Sequence, residues 1–287
     1  MEPGAARTRM TRALRAVALA GLAGACGLDA PPEPTLDPLV YEIGGFRIED
    51  ATRAASPDLI DSIAAALGTA LTDVTGFLPE FVPPADTITF LLLEGGGIPF
   101  VTVTELRITQ WEQDLALDYL PHQLTHLLTG YLRRPFLEEG IAVYVTEALD
   151  PAGTVVNPYR GQVPDAWVSL FEEFGSTIPL AVALGASSLG YSYSGSSVDA
   201  SAWQLFIEAG SFTGWVFAAY GRGAWLQWYA SDDLAGSLNV PLTELEQAWL
   251  AEVRAAHPTP LACEEALSTR GPLTSREEFW CARAKGE

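Results

Sequence analysis

His122 and His126 stand four residues apart in HQLTHLL (122–128), and Glu139 follows in FLEEGIAVYVTEAL (136–149). On a helix, positions four apart share a face, with Cβ atoms roughly 5–6 Å apart. Two imidazoles so placed can converge on one metal ion. A catalytic zinc takes three protein ligands and leaves a fourth position open. The third ligand must come from elsewhere, and Glu139 on the next helical segment is available. Glu138 is its neighbour but falls on a different face. Two histidines satisfied without any metal are the plainer alternative, and the spacing alone does not separate the two.

The elements that must position these residues are legible in outline. YEIGGFRIED (41–50) reads as a strand. Ser56-Pro57-Asp58 reads as a helix start, a cap with a first-turn proline. Ile60, Ile63, Leu67, Leu71 and Val74 follow at helical spacing. TITFLLLE (87–94) is an apolar, buried strand. FVTVTELRIT (100–109) is β-branched and reads as a further strand at a sheet edge, open to pairing with an extended peptide. Asp118 is placed to cap the histidine helix, with Pro121 in its first turn and Gly130 as its stop. A second helix runs from about 136 to 149, and another covers 165–174. A long helix spans Asp199 to Tyr220 with Gly221 as its stop. Thr243 and Glu246 read as a capping box for a last helix, LTELEQAWLAEVRAA. The Trp-rich stretch 215–229 reads as core packing. Strands come first and helices after, which gives an α+β fold with a small antiparallel or mixed sheet.

Taken together, HQLTHLL, FLEEGIAVYVTEAL, IEAGSFTGWVFAAYG and LTELEQAWLAEV resemble the gluzincin metallopeptidases of the peptidase MA-like group, relatives of thermolysin and of zinc aminopeptidases. The resemblance covers roughly residues 41–255. It implies a mostly helical, thermolysin-like domain after the sheet, and a zinc ion held by His122, His126 and Glu139. It also places an oxyanion-stabilising group later in the sequence than the ligands, where Tyr191, Tyr193 and Tyr220 occur.

The departure from that pattern is Gln123, which stands where the family carries a glutamate. In the family that carboxylate takes a proton from the metal-activated water and passes it to the leaving amine. An amide has no oxygen that titrates near neutral pH, although it can still donate and accept hydrogen bonds. General acid–base help is worth about 10²–10⁴-fold, or roughly 3–5 kcal/mol of barrier. Glu138 and Glu147 are the nearest carboxylates in sequence, and neither has the spacing of the missing base.

Bulk composition narrows the setting. Charges are 16 Lys+Arg against 36 Asp+Glu, so a nucleic-acid phosphate backbone is repelled. Residues 1–25 carry Arg7, Arg9, Arg12 and Arg15 and then an apolar run that ends at Cys26. This is a secretory signal, too short to span a bilayer. LAGAC resembles a bacterial lipobox, in which Cys26 is lipidated. Residues 26–40 are a Pro-rich tether. Loss of the signal removes four arginines and Glu2, which leaves a mature charge near −23. Cys263 and Cys281 are expected to pair and staple the 256–287 tail in an oxidising compartment.

These readings lead to an envelope lipoprotein, periplasm-facing or on the outer membrane, anchored through its lipid. Its domain binds zinc, lacks the general base and holds peptide or protein segments. Two alternatives stand beside it: an active metallohydrolase, peptidase or esterase, that uses another base, and a non-catalytic interaction protein without metal.

Overall fold

Asp50 is fully buried at the end of a strand, and it explains how the first crossover begins. Its carboxylate accepts the Thr52 N–H at 2.9 Å, the Thr52 hydroxyl at 2.6 Å, the Arg53 N–H at 2.9 Å and the Ala55 N–H at 3.1 Å. Four donors on one carboxylate lock the turn into the first helix, whose Ser56 side chain then accepts the Leu59 N–H. The computed structural model describes residues 37–83, 88–93, 100–101, 105–109, 117, 120–130, 134–150, 163–185, 200–259 and 281–282.

Five strands are described: β1 (Leu39–Ile43), β2 (Phe46–Asp50), β3 (Ile88–Leu93), β4 (Phe100–Val101) and β5 (Glu105–Thr109). Their order is β1-β2-β3-β5-β4. β2 and β5 run parallel to β3, while β1 and β4 are antiparallel edges, so the sheet is mixed. Eight helices are described: α1 (Pro57–Phe77), α2 (Leu120–Thr129), α3 (Pro135–Leu149), α4 (Pro164–Glu173), α5 (Leu180–Gly185), α6 (Ala200–Ser231), α7 (Leu234–Leu238) and α8 (Leu242–Ala256). The fold is α+β, as its order of elements implied.

α1 crosses from β2 to β3 and lays Ile60, Ile63, Leu67 and Val74 on the sheet. Phe46, Ile48, Phe90 and Leu92 meet them in one core. α2 packs on α1, α3 and the β4–β5 end of the sheet. It is therefore enclosed on most sides, and only two of its ten residues are not buried.

Three strand and helix readings change. The segment 41–50 is a hairpin rather than one strand. Gly44 (φ 59°) and Gly45 (φ 87°) adopt the left-handed pair that a two-residue turn requires. The segment 100–109 is split into β4 and β5, and β5 lies inside the sheet, paired with β3 and with β4. The edge role passes to Phe100–Val101 alone. Gly221 (φ 80°, ψ 168°) does break its helix, but helix resumes at once and runs to Ser231. The resumed turns carry Trp225 and Trp228, which are buried, so burial of that aromatic face restarts the helix.

The proposed capping box at Thr243 and Glu246 is absent. Pro241 occupies the cap of α8 without a side-chain hydrogen bond. Glu246 instead accepts the Leu180 N–H at 2.8 Å and so caps α5. Tertiary contact has taken the carboxylate away from its own helix.

Glu208 lies beside this cap and is almost fully buried. It accepts the Ile178 N–H at 3.1 Å and the Gln204 amide at 2.7 Å. Burial pushes its carboxyl up to about 8, against those two donors and with help from the Glu246 charge. A carboxyl raised in the folded state holds a proton that the unfolded protein releases above about pH 4.5. Its contribution to stability is therefore present below that pH and is lost as pH rises towards 8. Glu208→Gln is expected to flatten this decline. A gain in melting temperature over the unsubstituted protein should grow between pH 5 and pH 8, and a constant offset would contradict the assignment.

Candidate metal centre

α2 and α3 bring the three candidate ligands together. Pro121 sits in the first turn of α2, where its missing N–H leaves no gap in the hydrogen-bond ladder. Gly130 (φ 80°) ends the helix, and its N–H bonds to the His126 carbonyl at 2.9 Å. The 122 and 126 side chains thus share a face, as the spacing required. Asp118, the proposed cap, lies outside the described residues.

α3 starts at Pro135. Glu138 reaches back so that its Oε1 accepts the Arg134 N–H at 2.9 Å, and the side chain is buried. It serves the start of the helix, while Glu139 turns to the histidines. Arg134 donates to the Tyr229 carbonyl at 2.8 Å, pairs with Asp232 at 2.8 Å and lies over the Tyr229 ring. The Tyr229 hydroxyl donates to the Thr129 carbonyl. The second half of α6 therefore clamps the end of α2 to the start of α3. The Gly221 kink lies between this clamp and the first half of α6.

Two glycines set the depth of α3. A Cβ on Gly140 would meet the Thr213 hydroxyl at 2.4 Å and the Ala209 carbonyl oxygen at 2.7 Å. A Cβ on Gly210, on the facing helix, would meet the Val143 side chain at 2.3 Å. Gly140 adjoins Glu139, so this close approach also fixes the third ligand. Gly140→Ala is expected to destabilise the fold by about 1–3 kcal/mol, the usual range for overpacking, and to weaken metal binding with it. Gly223→Ala, where a Cβ meets open space, is the control expected to leave both unchanged. Denaturant melts and metal titrations of the two variants check this.

The geometry at the centre is tight. His122 Nε2 and His126 Nε2 are 3.1 Å apart, and Glu139 Oε2 lies 3.3 Å from the first and 3.5 Å from the second. Their side chains are 9%, 10% and 18% exposed, so the centre is enclosed but can still be reached. These three residues could hold a metal ion. The circumradius of a triangle with edges of 3.1, 3.3 and 3.5 Å is about 1.9 Å, the shortest distance at which one ion could bond all three equally, and longer bonds place it out of their plane.

Electrostatics support the same grouping. Burial lowers the His122 pKa, and the Glu139 hydrogen bond only partly offsets this. Burial acts on His126 in the same sense, but there the Glu139 charge and hydrogen bond outweigh it, and the net shift is upward. Burial would raise the Glu139 pKa, yet the two imidazoles hold its carboxyl well below the usual carboxylate range. The carboxylate is thus ionised and aimed at two ring nitrogens. One feature does not follow from a metal site: His126 Nδ1 is buried without a hydrogen-bond partner.

The remaining candidates fare differently. Gln123 is on α2 and is 5% exposed. Tyr220 is exposed and packs edge-on against Trp215 at 5.5 Å, a rim contact. Tyr191, Tyr193, Cys26 and Cys263 lie outside the described residues. Cys281 is buried and disulfide-bonded. No helix among the described residues is long and apolar enough to cross a membrane.

The spacing carried no signal for the clamp of Arg134 and Tyr229, which joins positions 95 residues apart. Neither a protein-family model, nor a curated protein, nor a solved structure matches the sequence.

Proposed function

We propose that this protein is a zinc-binding envelope lipoprotein with a gluzincin-like, thermolysin-like domain that has kept its metal site and lost its general base. It binds peptide or protein segments rather than hydrolysing them. The observation that carries the reading is the triangle of His122, His126 and Glu139, with edges of 3.1, 3.3 and 3.5 Å. Zinc bonds nitrogen and oxygen at about 2.0–2.2 Å, and tetrahedral bonds of that length need ligand edges of about 3.3–3.6 Å; the two edges to Glu139 fall in that range and the 3.1 Å edge between the histidines lies just below it. Two imidazoles and one carboxylate are also a donor set that zinc takes in hydrolytic sites.

When bound there, zinc supplies Lewis-acid polarisation of an oxygen ligand. The protein's own residues then decide between binding and turnover. Gln123 can hold such a ligand by hydrogen bonds but cannot accept its proton. Glu138 does not replace it, because its carboxylate is buried and serves the Arg134 N–H. Glu147 lies eight residues beyond Glu139 on α3, about 12 Å along the helix axis. Neither carboxylate stands in for the base, which favours binding.

The anchor belongs to the same proposal. Cleavage before Cys26 and lipidation of that cysteine would hold the domain off a bacterial membrane by the 26–40 tether. Its acidic surface excludes nucleic acid as a partner.

The test is elemental analysis of the purified, dialysed full-length protein. The reading expects one zinc per molecule. Protein that holds well under half an equivalent after zinc has been supplied would sink it.

A further inference from the structure

We infer that the fourth position of the metal site is built to receive a carboxylate, with the Gln123 amide as its hydrogen-bond donor. This rests on the zinc reading above and names the ligand class of that site.

Gln123 is 5% exposed, and its side chain has no hydrogen-bond partner among the described residues. Its amide atoms are not among those enclosed without a partner, so they keep contact with solvent and can meet a ligand that enters the site. Helix geometry places position 123 three residues before His126, on the neighbouring row of the same helix. The amide therefore lies on the helix row next to the ligand set.

Charge selects what the site takes. Glu139 brings one negative charge to a doubly positive ion. Glu138, the other carboxylate that acts on His126, adds a second nearby. A glutamate at 123 would add a third and repel an anionic ligand. Glutamine removes that repulsion and turns an acceptor into an NH₂ donor. An incoming carboxylate can then place one oxygen on the ion and accept from Gln123 Nε2 with the other. Hydrogen bonds to an ionised acceptor are about twice as strong as those to a neutral one, so a neutral amide or carbonyl gains less. The same substitution that stops proton transfer thus favours a bound acid group. That group could come from the C-terminus of a peptide or from an acidic residue within one.

The test uses the full-length protein, loaded with zinc and checked for one equivalent before each titration. Three probes are titrated calorimetrically at one pH: N-acetylalanine (a terminal carboxylate), the α-amide of N-acetylaspartate (an aspartyl carboxylate) and N-acetylalaninamide (no carboxylate). The expected result is that at least one carboxylate probe binds the zinc form and not the chelated form. N-acetylalaninamide should bind at least tenfold more weakly, and the tighter of the two acids identifies the source. Gln123→Glu should keep its zinc and lose tenfold or more in affinity for the acid. Gln123→Ala, which removes the donor without adding charge, should lose several-fold and serves if the Glu variant sheds metal. Equal binding of the neutral probe, unchanged affinity in these variants, or zinc-loaded protein that binds neither acid overturns the inference while leaving the zinc reading in place. Protein that takes up no zinc overturns both.

Discussion

Replacing Glu139 with alanine is expected to abolish stoichiometric zinc and to make the melting temperature indifferent to chelator. Glu139 Oε2 is the only carboxylate oxygen in the triangle, 3.3 and 3.5 Å from the two imidazole nitrogens. A protein zinc site yields roughly 10–16 kcal/mol in all, so one ligand of four accounts for about 3 kcal/mol or more. That corresponds to a loss of affinity of roughly a hundredfold or greater. The unsubstituted protein should melt at a higher temperature with excess zinc than with chelator, because a ligand that binds only the folded state stabilises it by mass action. The variant should show one melting temperature in both conditions. Melting that is insensitive to chelator in the unsubstituted protein would leave only two histidines and an acid in an electrostatic cluster.

The second large effect is a gain. Gln123→Glu is expected to confer peptide hydrolysis at least a hundredfold above the unsubstituted protein. The change is isosteric, so α2 need not move. It restores a group that can take a proton and return it, and such help is worth about 10²–10⁴-fold. The position is only 5% exposed, which keeps the carboxylate basic by desolvation. A fluorogenic peptide assay reads the gain, and the double change Gln123→Glu with Glu139→Ala is the control that must return to background. A Glu variant that holds zinc and stays inert would mean that the substrate-binding side of the site, and not the base alone, differs from a hydrolytic one. The carboxylate affinity of the same variant should fall as its activity rises, since both result from one added charge.

What the sequence disclosed, and what it did not, depends on the range of the interactions. Ser56-Pro57-Asp58 marked the start of α1 because the cap and its N–H are three residues apart. His122 and His126 were placed on one face because helical spacing dictates it, and Gly130 stopped their helix by its own φ. Glu139 over Glu138 followed from the face each occupies and from the resemblance to a metallopeptidase pattern. Failures came where a distant partner decided. Glu246 looked like half of a local capping box, but the Leu180 N–H, 66 residues away, had the stronger claim. Gly221 carries the left-handed φ of a helix stop, yet burial of Trp225 and Trp228 restarts the helix beyond it. The split of 100–109 and the parallel pairing of β3 with both neighbours are matters of sheet register, which no single strand encodes. The Gly44-Gly45 turn was legible in principle. A Gly-Gly pair flanked by alternating residues is a hairpin signal, and it was outweighed by an unbroken strand reading.

The depth of the site was also beyond the sequence. Gly140 reads as one more small residue, but its missing Cβ allows α3 to approach the Ala209 carbonyl and the Thr213 hydroxyl. That approach sets where Glu139 ends. The Arg134–Tyr229 clamp is similarly invisible in the sequence, since it depends on where the second half of α6 runs after its kink.

X-ray absorption at the zinc edge of the purified full-length protein tests the central claim most directly. The account predicts a first shell of about four nitrogen or oxygen neighbours near 2.0–2.1 Å, with the outer-shell pattern of two imidazoles that disappears in His126→Ala. A shell containing sulfur, a shell without imidazole scattering, or a protein with no zinc to scatter would contradict it.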